Sequence, residues 1–462
     1  MEQPTRLVRQ LGLVSAVALV VSNMVGTGIF STSGFLANDL AEPKIFFGIW
    51  IAGAIVSLAG ALCYSELGVN FPSSGGEYVY LTEAYGKPWG FMTGWASLFA
   101  GFSAPIAAAA LACASYLAYF YPALRQDATM LTLGPSWFEI RLGGAQLAAG
   151  ALIGALTLIN VLGVALAARF QNVMTAFKIS VLLTFIVLGL AIGSGDWSHF
   201  SQPAVRGSTV PIAGQFAISL CFIYMAYSGW NAATYIAEEL KNPAVTLPRA
   251  LTIGTLLVAG LFLLMNAVYV YAAPLEEMKG VLAVGSLASS KLFGEGVAGI
   301  FSLAMAVSLV PTVNAMMTIG PRVYYAMAKN GAFLSFAGRV DPKRHTPVPA
   351  IVLQGTVAIL MTLTPFPSLL TFIGLTLNFF TAMSVASLFL FRRRPGWKKL
   401  GVVSFAWPAI PVFFCTVGLW VSLYGFLFAP RVSFAAAAML AAGALAYHLR
   451  TRSERQQPAY GD

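Results

Sequence analysis

Charge is what this 462-residue chain has least of: Asp, Glu, Lys and Arg together make up 10% of it, against 58% hydrophobic residues. Soluble domains carry roughly 25% charged residues, so a soluble globular fold is excluded. Histidine is nearly missing too. His199, His345 and His448 are far apart in sequence, with no metal-ligand spacing. The four cysteines, Cys63, Cys113, Cys221 and Cys415, each fall inside an apolar run, which excludes a disulfide framework. No glycine-rich phosphate loop follows a strand, so nothing supports nucleotide-driven work within the chain, and no cofactor or metal is implied. No nucleophile–base or metal constellation lies at depth, which argues against an enzyme.

What is abundant is hydrophobic length, with a mean hydropathy of +0.77. About twelve apolar runs are long enough to cross a hydrocarbon core, at roughly 12–36, 44–69, 89–121, 142–164, 170–193, 210–237, 250–273, 297–327, 347–364, 367–391, 401–427 and 432–449. The expectation is an all-α, multi-pass membrane protein whose main partner is the lipid bilayer. The first run has too long an apolar core, and no small-residue cleavage site, for a removable signal peptide. The net charge of +10 is topological rather than a nucleic-acid footprint. With the N-terminus inside, tails and inside loops hold about 19 Lys/Arg and outside loops about 7. The inside set includes Arg6, Arg9, Arg322, Lys343, Arg344, Arg392–Arg394, Lys398, Lys399 and Arg450. Both termini are thereby oriented to the cytoplasm.

The first run is interrupted where a spanning helix has no reason to break, at Ser22-Asn23-Met24-Val25-Gly26-Thr27-Gly28-Ile29-Phe30. Each glycine costs about 0.8–1 kcal/mol relative to alanine in a helix interior. Backbone freed at mid-membrane survives only inside protein or beside a water-filled cavity. Close packing through small residues would explain one such break. A second break, Tyr224-Met225-Ala226-Tyr227-Ser228-Gly229-Trp230-Asn231, lies at the corresponding place of the sixth run. Paired breaks point to an inverted repeat, with 12–193 as the first half, 210–391 as the second and 401–449 as two appended helices. An odd number of spans per half gives the two halves opposite orientations.

Such a pair supplies backbone alone for a zwitterion. The N–H groups of Thr27, Gly28 and Ile29 open the second half-helix and suit a carboxylate, with the Thr27 hydroxyl beside them. The carbonyls of Met24, Met225 and Ser228 end the preceding half-helices and suit an ammonium. Glycine at 26 and 28 allows close approach. Met225, Ser228 and Asn231 are expected to line a side-chain pocket with parts of the third, eighth and tenth helices. No Asp, Glu, Lys or Arg lies near either break, so the side chain it accepts is neutral.

Lys178, about one-third of the way into the fifth run, is the most informative side chain. An intramembrane lysine marks function by default. Snorkelling to the interface is the alternative, but eight or so residues into a helix is about 12 Å of rise, near the limit of that reach. Plainer readings go to Glu66 as an interfacial helix-end contact, Trp230 as packing behind the break, and Tyr85, Trp89 and Trp95 as an interfacial belt. Gly75-Gly76 reads as a hinge, and Arg392–Arg394 as a topological anchor.

Several blocks carry a family resemblance. Gly26-Thr27-Gly28-Ile29-Phe30 resembles the Gly-Ser-Gly-Ile-Phe signature of the amino acid–polyamine–organocation superfamily. Tyr64-Ser65-Glu66-Leu67-Gly68, Phe71 through Leu81 and Tyr85-Gly86 are similar to the first cytoplasmic loop of its L-amino acid transporter branch. So are Glu238-Glu239-Leu240-Lys241-Asn242-Pro243 and Leu247-Pro248-Arg249-Ala250. The resemblance implies a LeuT-type fold, a 5+5 inverted repeat with helices 1 and 6 broken, and alternating access to a central site. It implies a secondary transporter of neutral L-amino acids, with alanine, serine, threonine and leucine all open as substrates. Sodium-coupled members of the fold hold a cation between helices 1 and 8. Lys178 looks like its substitute, bonded to carbonyls around Gly26 and to Ser308. Sodium-independent exchange follows, with proton symport through the lysine as the alternative. A transporter-like sensor would require a signalling domain for which the short tails leave no room. Animal members of the branch pair with a glycoprotein through a cysteine between spans three and four. Residues 122–141 contain none, so no disulfide-linked subunit is expected. A bacterial inner (plasma) membrane is the expected location.

Overall fold

The computed structural model describes residues 11–72, 75–134, 139–341 and 346–456. Arg6, Arg9, Ser73, Ser74, Lys343, Arg344 and His345 of the sequence reading lie outside these residues.

The chain begins with α1 (Leu13–Met24) and α2 (Thr27–Leu40), two half-helices bent by 41° across Val25-Gly26. Neither junction residue is helical: Val25 has ψ 93° and Gly26 is fully extended. Helix α3 (Pro43–Asn70) follows, then the short α4 (Glu77–Tyr85) and the long α5 (Lys87–Leu117). Within α5, Ser97–Ser103 is wound as a π-helix. Strands β1 (Thr129–Leu133) and β2 (Ile140–Gly143) form an antiparallel hairpin before α6 (Gly144–Leu162) and α7 (Val164–Ala191). Helix α8 (Ile212–Ala226) stops short, and a 3₁₀ segment, Ala232–Glu239, continues beyond the interruption. The remaining helices are α9 (Pro243–Ala272), α10 (Val284–Phe293), α11 (Glu295–Lys329), α12 (Val348–Met361), α13 (Phe366–Ala386), α14 (Ala409–Phe428) and α15 (Pro430–Gln456).

Among the described residues, nine helices are individually long and apolar enough to cross a membrane, and the bent α1–α2 pair makes a tenth span. Helices α8 and α12 are apolar but shorter. Each of the twelve apolar runs holds one of these elements. The shortness of α8 is explained by its break: the run continues, but its backbone leaves the helix at Tyr227.

The two breaks pack against each other. A Cβ built on Gly28 would overlap the Cα and Cβ of Ala226, and one built on Gly229 would lie 2.9 Å from the carbonyl group of Asn23. Gly229 also has φ +101°, a conformation that side-chain-bearing residues rarely adopt. Glycine is thus required twice, once for close approach and once for the turn.

The core runs through α1, α2, α3, α5, α8, α9, α11 and α13, while α14 and α15 are the least buried spans. Leu183, Val187, Leu419 and Phe434 are exposed on outer faces, as lipid-facing positions are. Helix α2 is held to this frame by its own backbone. The Tyr116 hydroxyl donates to the Phe30 carbonyl at 2.6 Å and Tyr269 to Ile29 at 3.4 Å, while Ser33 donates to Asn266 Oδ1 at 2.6 Å.

Two residues read plainly from the sequence do more than expected. Glu66 is fully buried and forms a two-point ion pair with Arg392, Nε–Oε1 at 2.7 Å and Nη2–Oε2 at 2.5 Å. Trp397 Nε1 and the Leu400 N–H donate to the same carboxylate, and the guanidinium lies 3.9 Å from the Trp407 ring centroid. The helix-end contact read for Glu66 is thus a buried ion pair, and Arg392 is more than an anchor. An isolated carboxylate at this depth is costly, and only a partner that spends all its lone pairs offsets the lost hydration.

Candidate functional site

The α1–α2 break contributes Asn23, Met24, Gly26, Thr27 and Gly28 to a small cavity. The α8 break adds Met225, Ala226 and Ser228; α5 adds Pro105; α11 adds Thr312 and Met316. No charged side chain lines the cavity.

Four helix irregularities converge here. Two are the breaks. The third is in α5, where the π-helical turn runs into Pro105. The fourth is Pro311 inside α11, immediately before Thr312. A proline removes one helical donor and a π-turn shifts the register, so each leaves carbonyls turned away from the helix ladder. Helix irregularities are thereby concentrated around one cavity, with no ionic side chain among its described lining residues.

Lys178 reaches the first break from α7. It is fully buried, and its ammonium donates to the carbonyls of Val25 at 2.5 Å and Ser22 at 3.0 Å. Ser22 is in the last turn of α1 and Val25 is its C-cap, where no intrahelical donor is left for these carbonyls. One turn earlier on α7, Thr175 meets the Ser22 hydroxyl at 3.3 Å. Polar contacts continue across the bundle. Gln171 donates to Thr175 at 3.1 Å, Asn314 to Gln171 at 2.9 Å, Asn160 to Asn314 at 3.0 Å, and Thr318 to Asn160 at 2.7 Å. The Lys178 amine and a chain of hydrogen-bonded amides therefore support the α1 end from α6, α7 and α11.

The structure distributes the expected site residues as follows. Met24, Gly26, Thr27, Gly28, Met225 and Ser228 all line the cavity. Ile29 is wholly buried, and its carbonyl receives Tyr269. The Met225 carbonyl already accepts the Ser228 N–H at 3.1 Å and the Ser228 hydroxyl at 2.7 Å, so it offers little to a ligand. Asn231 differs from its expected place in the side-chain pocket. Its amide donates to Glu77 at 2.5 Å, and Tyr235 and Tyr64 (3.1 Å) donate to the same buried carboxylate. The unwound segment is thus tied to the start of α4. Ser308 differs as well: its hydroxyl returns to the Ala304 carbonyl at 2.7 Å rather than joining Lys178.

Sequence reasoning did not single out Pro105, Thr312, Met316 or Glu77. A proline inside an apolar run was a readable signal at 105 and 311. Nothing local marked Glu77, whose partners lie 13 and 154 residues away. Trp230 packs edge-on to Tyr64 with ring centroids 4.8 Å apart, behind the second break. Trp95 and Tyr85 bond backbone carbonyls of Met439 and Met383, while Trp89 is part-exposed. No group of three His, Cys, Asp or Glu suited to a metal occurs among the described residues.

Residues 11–446 match the family model for amino acid permeases. The chain is 30% identical over 424 residues to the large neutral amino acids transporter small subunit 2 of Mus musculus, covering 90% of this chain and 76% of that protein. It is 33% identical over 365 residues to the b(0,+)-type amino acid transporter 1 of Mus musculus, covering 77% and 70%. The Asc-type amino acid transporter 1 of the same organism is 28% identical over 434 residues, covering 92% and 78%.

Proposed function

Because this chain belongs to the amino acid permease family, a family of transporters rather than enzymes, we propose that it exchanges small neutral L-amino acids across a membrane without sodium. The observation that carries this reading is the Lys178 ammonium on the Ser22 and Val25 carbonyls, next to the cavity's Gly26. A built-in cation on carbonyls at the end of a half-helix does what a bound sodium ion would do there, and leaves no need for one. The neighbouring first turn of α2 offers N–H groups at its positive dipole end to a carboxylate. The uncharged wall and the cavity's small volume favour a small neutral side chain.

In this reading, residues 12–193 and 210–391 form two inverted repeats with 401–449 appended. The protein alternates access by moving the half-helices against the frame. Both termini face the cytoplasm, by the excess of Lys and Arg on that side, and the location is the plasma membrane of a bacterium. The relatives include a protein named as a small subunit. We infer no disulfide-linked partner for this chain, because all four of its cysteines belong to helices α3, α5, α8 and α14.

Uptake of labelled alanine, serine and leucine into liposomes holding the purified protein tests the proposal. Uptake is expected only when the lumen is preloaded with amino acid, at equal rates in sodium and choline buffers. Uptake into empty vesicles driven by a pH gradient would assign proton symport instead, with Lys178 as the proton-carrying group. Strong stimulation by sodium overturns the role given to Lys178.

A further inference from the structure

Thr312 is 6% exposed and lines the cavity, yet its hydroxyl has no hydrogen-bond partner. Threonines inside helices of this protein ordinarily return their hydroxyl to the carbonyl four residues back. Thr318 does so to Asn314, Thr157 to Ile153 and Thr381 to Leu377. Thr312, directly after Pro311, does not, and neither do Thr32, Thr255 and Thr376; of these four, Thr312 is the one that lines the cavity. Its side chain stands over Gly26: a Cβ built there would lie 3.2 Å from Thr312 Cγ2 and 3.7 Å from its hydroxyl oxygen. Gly26 is the N-cap of α2, and no side chain caps that helix.

We propose that the Thr312 hydroxyl donates a hydrogen bond to the α-carboxylate of the transported amino acid. The argument is one of supply. Of the other side-chain donors at the cavity, the Asn23 amide goes to the Leu19 carbonyl and the Ser228 hydroxyl to Met225, which leaves Thr27, in the first turn of α2, and Thr312. The first turn of α2 and the Thr312 hydroxyl therefore both border the cavity beside Gly26. Donors gathered at the start of a half-helix suit an anion, and helix α11 supplies a hydroxyl where the N-cap Gly26 has no side chain. The proposal rests on the amino acid transport read above and adds a substrate-binding residue on a third helix.

Three proteins in liposomes test it: the natural chain, Thr312→Val, which keeps the shape and removes the hydroxyl, and Thr312→Ser, which keeps it. For Thr312→Val, the KM for alanine and for serine is expected to rise together by roughly 10- to 100-fold, as for a hydrogen bond to a charged group. Thr312→Ser is expected to stay within about threefold. In detergent without substrate, Thr312→Val should melt no lower than the natural chain, since an unpartnered buried hydroxyl has been removed. Its melting point should also rise less on adding alanine. Thr312→Ala serves if the valine variant aggregates. An unchanged KM for alanine overturns the proposal, and so does a loss confined to serine, which would assign the hydroxyl to the substrate's side chain. Natural protein that transports no amino acid overturns the transport reading as well. Natural uptake with an unaffected Thr312→Val overturns this proposal alone.

Discussion

Single residues at the first break act at distances where one methyl group matters. A Cβ at position 28 would meet the backbone of Ala226, so Gly28→Ala cannot be accommodated by rotating a side chain. Overpacking of this kind costs about 1–3 kcal/mol. Lost uptake and a lower melting point are both expected, and a variant with natural stability would show that the breaks separate freely. Position 26 faces only the movable Thr312 side chain, so Gly26→Ala should melt nearer the natural chain. Lys178 is the converse case. Replacing it by Ala leaves the Ser22 and Val25 carbonyls without their donor, at about 1–3 kcal/mol for each buried group. Transport is expected to fall by at least about tenfold, equally in sodium and choline. A silent Lys178→Ala would return the residue to a snorkelling role.

At the scale of elements, the polar chain from Ser22 through Thr175, Gln171, Asn314 and Asn160 to Thr318 joins α1 to α6, α7 and α11. Asn314 is its midpoint and is fully buried. Asn314→Leu should lower stability by about 1–3 kcal/mol by stranding the amides of Gln171 and Asn160. If the chain holds α7 so that Lys178 meets α1, the loss of transport in Asn314→Leu and Lys178→Ala combined should be smaller than the sum of the single losses. Additive losses would make Asn314 a packing residue only. The breaks themselves were legible because Gly26, Gly28 and Gly229 interrupt otherwise uniform apolar runs, and Lys178 was legible because no other lysine stands so deep in one. The facing of Thr312, the capture of Asn231 by Glu77 and the return of Ser308 to its own helix were not. Each depends on rotation about a helix axis or on a partner far along the chain, and hydropathy encodes neither in a run that is apolar on every side.

For the whole molecule, the decisive long-range contact is Glu66 with Arg392. It joins the end of α3 to the segment that follows α13, and Trp397 and the Leu400 N–H close it from outside. Removing one partner of a buried pair strands the other, at about 3–5 kcal/mol. Glu66→Gln should therefore melt well below the natural protein in detergent. Replacing both residues with apolar ones of similar size is expected to recover much of the loss. Recovery would mark the pair as a fastening, while a double variant that folds but does not transport would give it a part in the cycle.

The same pair has a consequence for how the protein is made. Its members are 326 residues apart, and ribosomes add about 5–20 residues each second, so the carboxylate waits roughly 16 to 65 s for its arginine. Throughout that interval the growing chain holds a bare acidic side chain at the end of its second span. The contact that fastens the end of α3 to the segment after α13 therefore forms late in synthesis. A chain interrupted before Arg392 lacks the guanidinium that neutralises this carboxylate.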